Sequence, residues 1–91
     1  MAQVAVKIKI MPTSPDADLK QIEKKAKELV EGLEGKNCTF VEEPIAFGLK
    51  AIIITFGWPE EVELEELEKR LEEIDQVQSV QELDIRRAFG S

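Results

Sequence analysis

The middle of the chain encodes a β-hairpin, in the stretch Glu42-Glu43-Pro44-Ile45-Ala46-Phe47-Gly48-Leu49-Lys50 and the apolar run Ala51-Ile52-Ile53-Ile54 that follows it. Proline has no backbone N–H to give to a sheet, so Pro44 suits the end of an edge strand, and Gly48 permits the turn. We predict a short, polar second strand over residues 39–43 and a third strand over residues 49–56. The third strand is apolar almost throughout, which predicts a central position in the sheet.

The third strand has two unequal faces, because successive side chains of a strand point to opposite sides. The bulkier set, which we expect to face the helices, is Ile52, Ile54 and Phe56. The remaining residues should join the first strand on an open face made of Ala5, Lys7, Lys9, Ala51, Ile53 and Thr55. We expect Gly57-Trp58-Pro59 to break the strand. Trp58 then covers the end of the core, with an interface aromatic as the alternative.

A strand and a helix precede the hairpin. Residues 3–11 alternate between apolar and other side chains, as in a strand with one buried face. Prolines stop that strand, and both Ser14 and Asp16 offer an N-cap oxygen to the helix that follows. Two glycines, Gly32 and Gly35, end the helix. Its apolar positions fall at helical spacing: Leu19, Ile22, Ala26, Leu29, Val30 and Leu33.

A second helix and a fourth strand follow the hairpin. The helix carries glutamates in its first turn, at the positive end of the helix dipole, and its apolar stripe consists of Leu64, Leu67, Leu71 and Ile74. The strand should extend over residues 78–87, with Leu83 and Ile85 pointing inward. Val80 is out of phase with that pair, which predicts a bulge or a later start of the strand.

The resulting element order is β-α-β-β-α-β. Right-handed crossovers place both helices on one face of a four-stranded antiparallel sheet, which is the α+β ferredoxin-like sandwich. The two most apolar strands, the first and the third, should be central. We expect residues 1–91 to form a single domain, because the chain shows no linker, no low-complexity tract and no internal repeat.

Composition limits the possible functions. The net charge of −7 argues against direct binding of nucleic acid, because proteins that bind nucleic acid rely on lysine and arginine contacts to the phosphates. No apolar run approaches a membrane span, and residues 1–11 lack the features of a signal peptide. Cys38 is the only cysteine, so no internal disulfide forms and a reducing compartment fits. We therefore predict a cytoplasmic protein without a membrane partner.

The chain contains no histidine, which excludes imidazole bases, Ser-His and Cys-His pairs, and histidine metal ligands. With one cysteine, a zinc site would need carboxylates almost alone. Carboxylate chemistry is left open, but nineteen Asp and Glu fit a solvated surface. We predict a protein that is not an enzyme, with no catalytic residue, no metal and no cofactor.

Three classes of function share this element order. An RNA-binding domain of the RRM type needs aromatics on the open face of the first and third strands, whereas Phe56 is expected to point inward. An enzyme of the acylphosphatase kind needs an anion-binding loop with a basic residue beside it, whereas residues 11–18 are acidic. A protein-interaction module needs exposed aromatic and arginine anchors.

Two segments offer such anchors. The first is Phe47 at the hairpin, where a large ring cannot add much to the core, unless it folds back on Pro44 or Ile45. The second is the C-terminal segment with Arg86, Arg87 and Phe89. The structural alternative for the two arginines is a charged edge strand that resists aggregation.

The hairpin stretch resembles that of the translation elongation factor 1-beta family, the guanine nucleotide exchange factors for elongation factor 1-alpha. Residues 11–19, Met-Pro-Thr-Ser-Pro-Asp-Ala-Asp-Leu, are similar to the strand-to-helix junction of the short archaeal members. The ending Asp84-Ile85-Arg86-Arg87 is also similar, and the match extends over essentially the whole chain.

The resemblance implies a ferredoxin-like domain that binds the GDP-bound or nucleotide-free form of elongation factor 1-alpha and releases GDP. It implies that Phe47 packs on the GTP-binding domain and that the C-terminal segment approaches the magnesium and phosphate region. Eukaryotic members carry a lysine next to the last residue, where this chain has Gly90, so Arg87 or Phe89 would act instead, or the hairpin would suffice. The predicted partner-binding residues are Pro44, Ile45, Ala46, Phe47, Gly48, Arg86, Arg87 and Phe89.

Overall fold

The computed structural model describes residues 3–87, with the backbone alone at Arg87. Two helices and four strands follow each other in the predicted order. They are β1 (Gln3–Pro12), α1 (Leu19–Gly32), β2 (Lys36–Pro44), β3 (Lys50–Pro59), α2 (Glu65–Glu72) and β4 (Val77–Arg87), with a one-turn 3₁₀ helix at Ala46–Gly48 between β2 and β3.

The strands form one antiparallel sheet in the order β2-β3-β1-β4. This confirms the ferredoxin-like architecture and the central positions of the first and third strands. α1 contacts β2, β3 and α2, and α2 contacts β4. Within the described part of the chain, no helix is long and apolar enough to cross a membrane.

The core lies between the sheet and the two helices. The prediction that Ile52, Ile54 and Phe56 face the helices is confirmed, since all three are buried. Their buried partners are Val6, Ile8, Ile10, Ile22, Ala26, Val30, Trp58, Leu67 and Leu71. Ala51 departs from the predicted open face because it has no exposed surface. Ala51 alternates with Ile52 and therefore lies on the side of the sheet away from the helices. Its side chain is shorter than those of neighbours such as Glu43, its partner in the register.

The predicted break at Gly57-Trp58-Pro59 is wrong, because β3 continues to Pro59 in register with β1. The continued strand carries Trp58 into the core, where it is 1% exposed. Its ring meets that of Phe56 edge to face, with centroids 5.8 Å apart, an arrangement favoured by the ring quadrupoles. The indole Nε1–H donates to the backbone oxygen of Val62 at 2.8 Å. Trp58 therefore closes the end of the core, as expected.

The N-cap of α1 is Asp18, not Ser14 or Asp16 as predicted. The Oδ1 atom of Asp18 accepts a hydrogen bond from the backbone N–H of Gln21 at 3.2 Å. The backbone N–H of Asp18 itself donates to Oε1 of Gln76 at 3.0 Å. A contact with Gln76, which is distant along the chain, thus helps to fix where the helix begins. The residues around the start of the helix could not predict this contact.

The C-terminal end of α1 is a Schellman motif. The backbone N–H of Gly35 donates to the Val30 oxygen at 2.8 Å and that of Glu34 to the Glu31 oxygen at 3.3 Å. Glu34, with a φ of 78°, takes the left-handed position that glycine often fills. The helix ends at Gly32, as predicted.

The predicted bulge in β4 is present. Val80 pairs with Ile10 and Glu82 with Ile8, but the next pair on that strand joins Asp84 to Lys7. Leu83 is the extra residue, and it is 43% exposed, so the prediction that it points inward is wrong. Ile85 pairs with buried Val6 and shares its side of the sheet. It still exposes 46% of its surface, because β4 is an edge strand.

Candidate partner-binding surfaces

The hairpin tip, residues 44–49, is a tight and well-bonded turn. Pro44 and Lys50 form the last pair of the β2–β3 ladder. The backbone N–H of Ile45 donates to the Leu49 oxygen at 2.7 Å, and that of Leu49 donates to the Ala46 oxygen at 3.3 Å. These bonds hold the two strands together at the point where the chain reverses, so the side chains between them are presented on a fixed backbone.

Phe47 stands at the outermost point of this turn. Its side chain is 93% exposed, so the alternative in which the ring folds back on Pro44 or Ile45 is wrong. Its φ is 64°, and that of Gly48 is 77°. A left-handed backbone costs about 1–2 kcal/mol for a residue with a Cβ. The protein therefore keeps a strained, fully solvated phenylalanine, which the stability of the fold does not explain.

The loop from Thr13 to Asp18 lies beside the hairpin tip. A Cβ placed on Gly48 would lie 3.9 Å from the Cβ of Pro15, so the two segments adjoin. Gln76 secures this loop at both ends, because its backbone oxygen accepts from the Thr13 N–H at 2.9 Å and its side chain accepts from the Asp18 N–H. No pattern in the sequence indicates this role of Gln76, which is distant along the chain. Its φ of 72° is visible only in the structure.

The predicted arginines lie in the last residues of β4. Arg86 pairs with Ala5 and Arg87 with Val4 in the register with β1. The Nε atom of Arg86 lies 2.7 Å from Oδ2 of Asp84, an exposed pair that adds little stability. Phe89 lies outside the described residues.

The structure does not bring the two predicted segments together. The start of β4, at Val77, pairs with Pro12 on the side of the hairpin tip, whereas Arg87 pairs with Val4 at the other end of the sheet. At about 3.3 Å per residue of strand, Val4 and Pro12 are roughly 26 Å apart. Pro44 to Gly48 therefore form one surface, and Arg86 and Arg87 belong to a second one.

The open face of the sheet carries mixed charges and lacks stacking platforms. Lys9 and Glu43 approach within 3.7 Å across it. In residues 3–87, Phe40 and Phe56 pair with residues on the helix side and Phe47 is at the hairpin tip. No aromatic ring of this part of the chain is therefore available on the open face to stack a base.

Two kinds of chemical site are relevant among the described residues, a metal-binding cluster and a reactive thiol. No cluster of three His, Cys, Asp or Glu among them could hold a metal ion. Burial raises the pKa of the Cys38 thiol, and the nearby Glu31 carboxylate raises it further while Lys27 opposes the shift. A thiol with a raised pKa is a weak nucleophile at neutral pH.

Comparison with known proteins connects these surfaces to a family. The model of the EF-1 guanine nucleotide exchange domain matches residues 5–88. Elongation factor 1-beta of Methanosarcina barkeri is 42% identical over 88 residues, covering 96% of this chain and 99% of the relative. Elongation factor 1-beta of Methanocaldococcus jannaschii is 40% identical over 89 residues, covering 97% and 100%. The chain therefore belongs to the EF-1 guanine nucleotide exchange domain family, and its function is guanine nucleotide exchange in translation elongation.

Proposed function

We propose that this protein binds elongation factor 1-alpha and accelerates the release of its GDP, so that the factor can rebind GTP. Residues 1–91 act as one exchange domain in the cytoplasm. The protein makes and breaks no covalent bond and uses no cofactor, and it contacts neither nucleic acid nor a membrane.

The observation that supports this proposal most strongly is the hairpin tip. A phenylalanine that is 93% exposed on a backbone fixed by two hydrogen bonds loses little freedom when it enters a pocket. Aromatic anchors of this kind carry much of the binding energy of protein interfaces. We assign Phe47 as the anchor, with Pro44, Ile45, Ala46 and Gly48 forming the contact around it.

Exchange itself follows from a difference in affinity. A protein that binds the nucleotide-free form of the GTPase more tightly than the GDP-bound form must weaken GDP binding by the same factor. Holding the partner at two places roughly 26 Å apart on the sheet is one way to favour a distorted form. In this proposal the hairpin tip anchors the complex, while Arg86, Arg87 and Phe89 act near the nucleotide.

The test is stopped-flow release of a fluorescent GDP analogue from elongation factor 1-alpha in the presence of excess unlabelled GDP. Catalytic amounts of this protein should accelerate GDP release from elongation factor 1-alpha. The protein alone should not hydrolyse GTP. The reciprocal measurement is its affinity for the partner with and without GDP, which should differ by the factor found for GDP binding. An unchanged release rate at saturating protein would refute the proposal.

A further inference from the structure

The end of the sheet that lies away from the hairpin tip carries an open groove with an apolar floor. The groove has a volume of about 630 Å³ and lies between the start of α2 and the adjoining ends of β1, β3 and β4. Its apolar lining comes from Val4, Trp58, Pro59, Val62, Leu64 and Ile85. Solvent reaches 37% of Val62 and 46% of Ile85. Apolar side chains that stay open inside a concave surface are typical of a binding site.

The floor of the groove is held in place by the structure beneath it. The indole of Trp58 donates to the Val62 oxygen at 2.8 Å, and the Val62 N–H donates to the Pro59 oxygen at 3.1 Å. The loop after β3 is thereby fixed to the core. A ligand would meet a surface that is already formed, which lowers the entropy lost on binding.

The rim of the groove is acidic. Glu63, Glu65 and Glu68 come from the start of α2 and the turn before it, and Glu82 comes from β4. None of these four carboxylates forms an ion pair within the described part of the chain. Of the two cations of α2, Lys69 and Arg70, the second is engaged by Glu66. Burial raises the pKa of Glu68, and the charges of Glu82, Glu72 and Glu65 raise it further. Like charges are thus crowded at the rim, and no ion pair among the described residues offsets them.

We propose that this groove binds a basic segment of a partner protein, with an apolar side chain on the floor and flanking lysines or arginines against the glutamates. The acidic rim repels nucleic acids and anionic membrane surfaces, and the apolar floor disfavours a purely ionic ligand. The groove lies on the helix side of the sheet, whereas Arg86 lies on the open face with Ala5 and Lys7. Binding of such a segment does not depend on the proposed exchange activity.

Trp58 supplies the measurement, because it is the only tryptophan of the chain. The probe is a blocked peptide of three leucines flanked on each side by two lysines, titrated into the full-length protein. The indole N–H resonance and the fluorescence of Trp58 should both shift to saturation. The same peptide with serines in place of the leucines should give no saturable shift, because it lacks the apolar anchor.

Matched variants test the two parts of the site. Glu68→Gln combined with Glu82→Gln should weaken binding of the leucine peptide roughly fivefold, as expected for two partly exposed ion pairs, and Val62→Ser should also weaken it. Glu28→Gln combined with Glu31→Gln removes the same charge from the exposed face of α1 and should change binding less than about twofold.

Three results would overturn the proposal. Equal weakening by both pairs of glutamate variants would mean that net charge alone attracts the peptide. A Trp58 signal that stays constant up to millimolar peptide would show that the groove does not bind it. A shift of that signal with protein concentration alone would show that a second copy of the chain occupies the groove.

Discussion

The hairpin tip and the C-terminal end of β4 are both candidate contact surfaces, but they differ in the kind of interaction that they offer. The tip presents one apolar ring on a strained, hydrogen-bonded turn, with Phe47 at a φ of 64°. The other end carries Arg86 on the open face of the sheet and, on the helix side, a groove lined by glutamates. A desolvated aromatic anchor gives affinity, whereas exposed charges chiefly give orientation and association rate. We therefore expect substitutions at the two ends to change different properties of the complex.

The largest effect is expected at the tip. Phe47→Ala should weaken binding to elongation factor 1-alpha by about 2 kcal/mol or more, the scale of a hot spot, and leave the unfolding midpoint nearly unchanged because the ring is solvated. The control is Val41→Ala, which trims another exposed apolar residue, on the neighbouring strand. Calorimetric titration and thermal unfolding measure the two quantities. A loss of stability with intact binding would make Phe47 structural.

A smaller effect of another kind is expected at the C-terminal end. Arg86→Ala combined with Arg87→Ala should lower the rate constant of GDP release at saturating protein about tenfold, or 1.4 kcal/mol in the barrier. Affinity for the partner should fall much less. Lys24→Ala combined with Lys25→Ala removes the same charge from α1 and serves as the control. If rate and affinity fall together, the arginines only enlarge the contact area.

The strain at the tip predicts a pair of opposite changes in the free energy of unfolding. Phe47→Gly should stabilise the protein by about 0.5–1 kcal/mol, because glycine adopts a positive φ without a Cβ clash. Gly48→Ala should destabilise it by a similar amount, although a Cβ there would meet only an ordinary contact with Pro15. Chemical unfolding of both variants decides the matter, and a destabilised Phe47→Gly would mean that the ring is packed.

The smallest effect is expected from the crowded carboxylates of the groove. The folded-state pKa of Glu68 is raised above its ordinary value of 4.5, first by burial and then by Glu82, Glu72 and Glu65. Its contribution to stability is therefore present below pH 4.5 and is lost as the pH rises through the folded pKa. Glu68→Gln should raise the Tm at pH 7 by less than about 3 °C. The difference should vanish below pH 4, and a lowered Tm at pH 7 would contradict the assignment.

Most of the fold could be predicted from the sequence, because its signals are local. Alternation in β1 and the apolar run of β3 give the central strands and the side that faces the helices. The phase change between Val80 and Ile85 gives the bulge. Glycine and proline mark the hairpin, and the exposed Phe47 follows from its place in the turn.

What could not be predicted depends on contacts between distant segments. Asp18 caps α1 because Gln76 holds its backbone N–H. β3 passes through Trp58 to Pro59 because β1 offers partners from Gln3 onward. The hairpin tip is separated from Arg86 and Arg87 because of the register of β4 with β1. This register cannot be predicted from the sequence of β4. The acidic groove likewise exists only once α2 and β4 are side by side.

The bulge at Leu83 has a consequence for how the chain can vary in length. β4 contains two residues more than its ladder with β1 uses. Leu83 is one, because Glu82 and Asp84 pair with adjacent residues of β1, and Gln78 is the other, because Val77 and Ser79 do so too. A chain lacking Leu83 can form a ladder that is unbroken from Ser79 onward, in which Ile85 still pairs with Val6 and Arg86 with Ala5. Leu83 is therefore not required for the pairing of β4 with β1. One position can be lost there while Arg86 keeps both its side of the sheet and its distance from the hairpin tip.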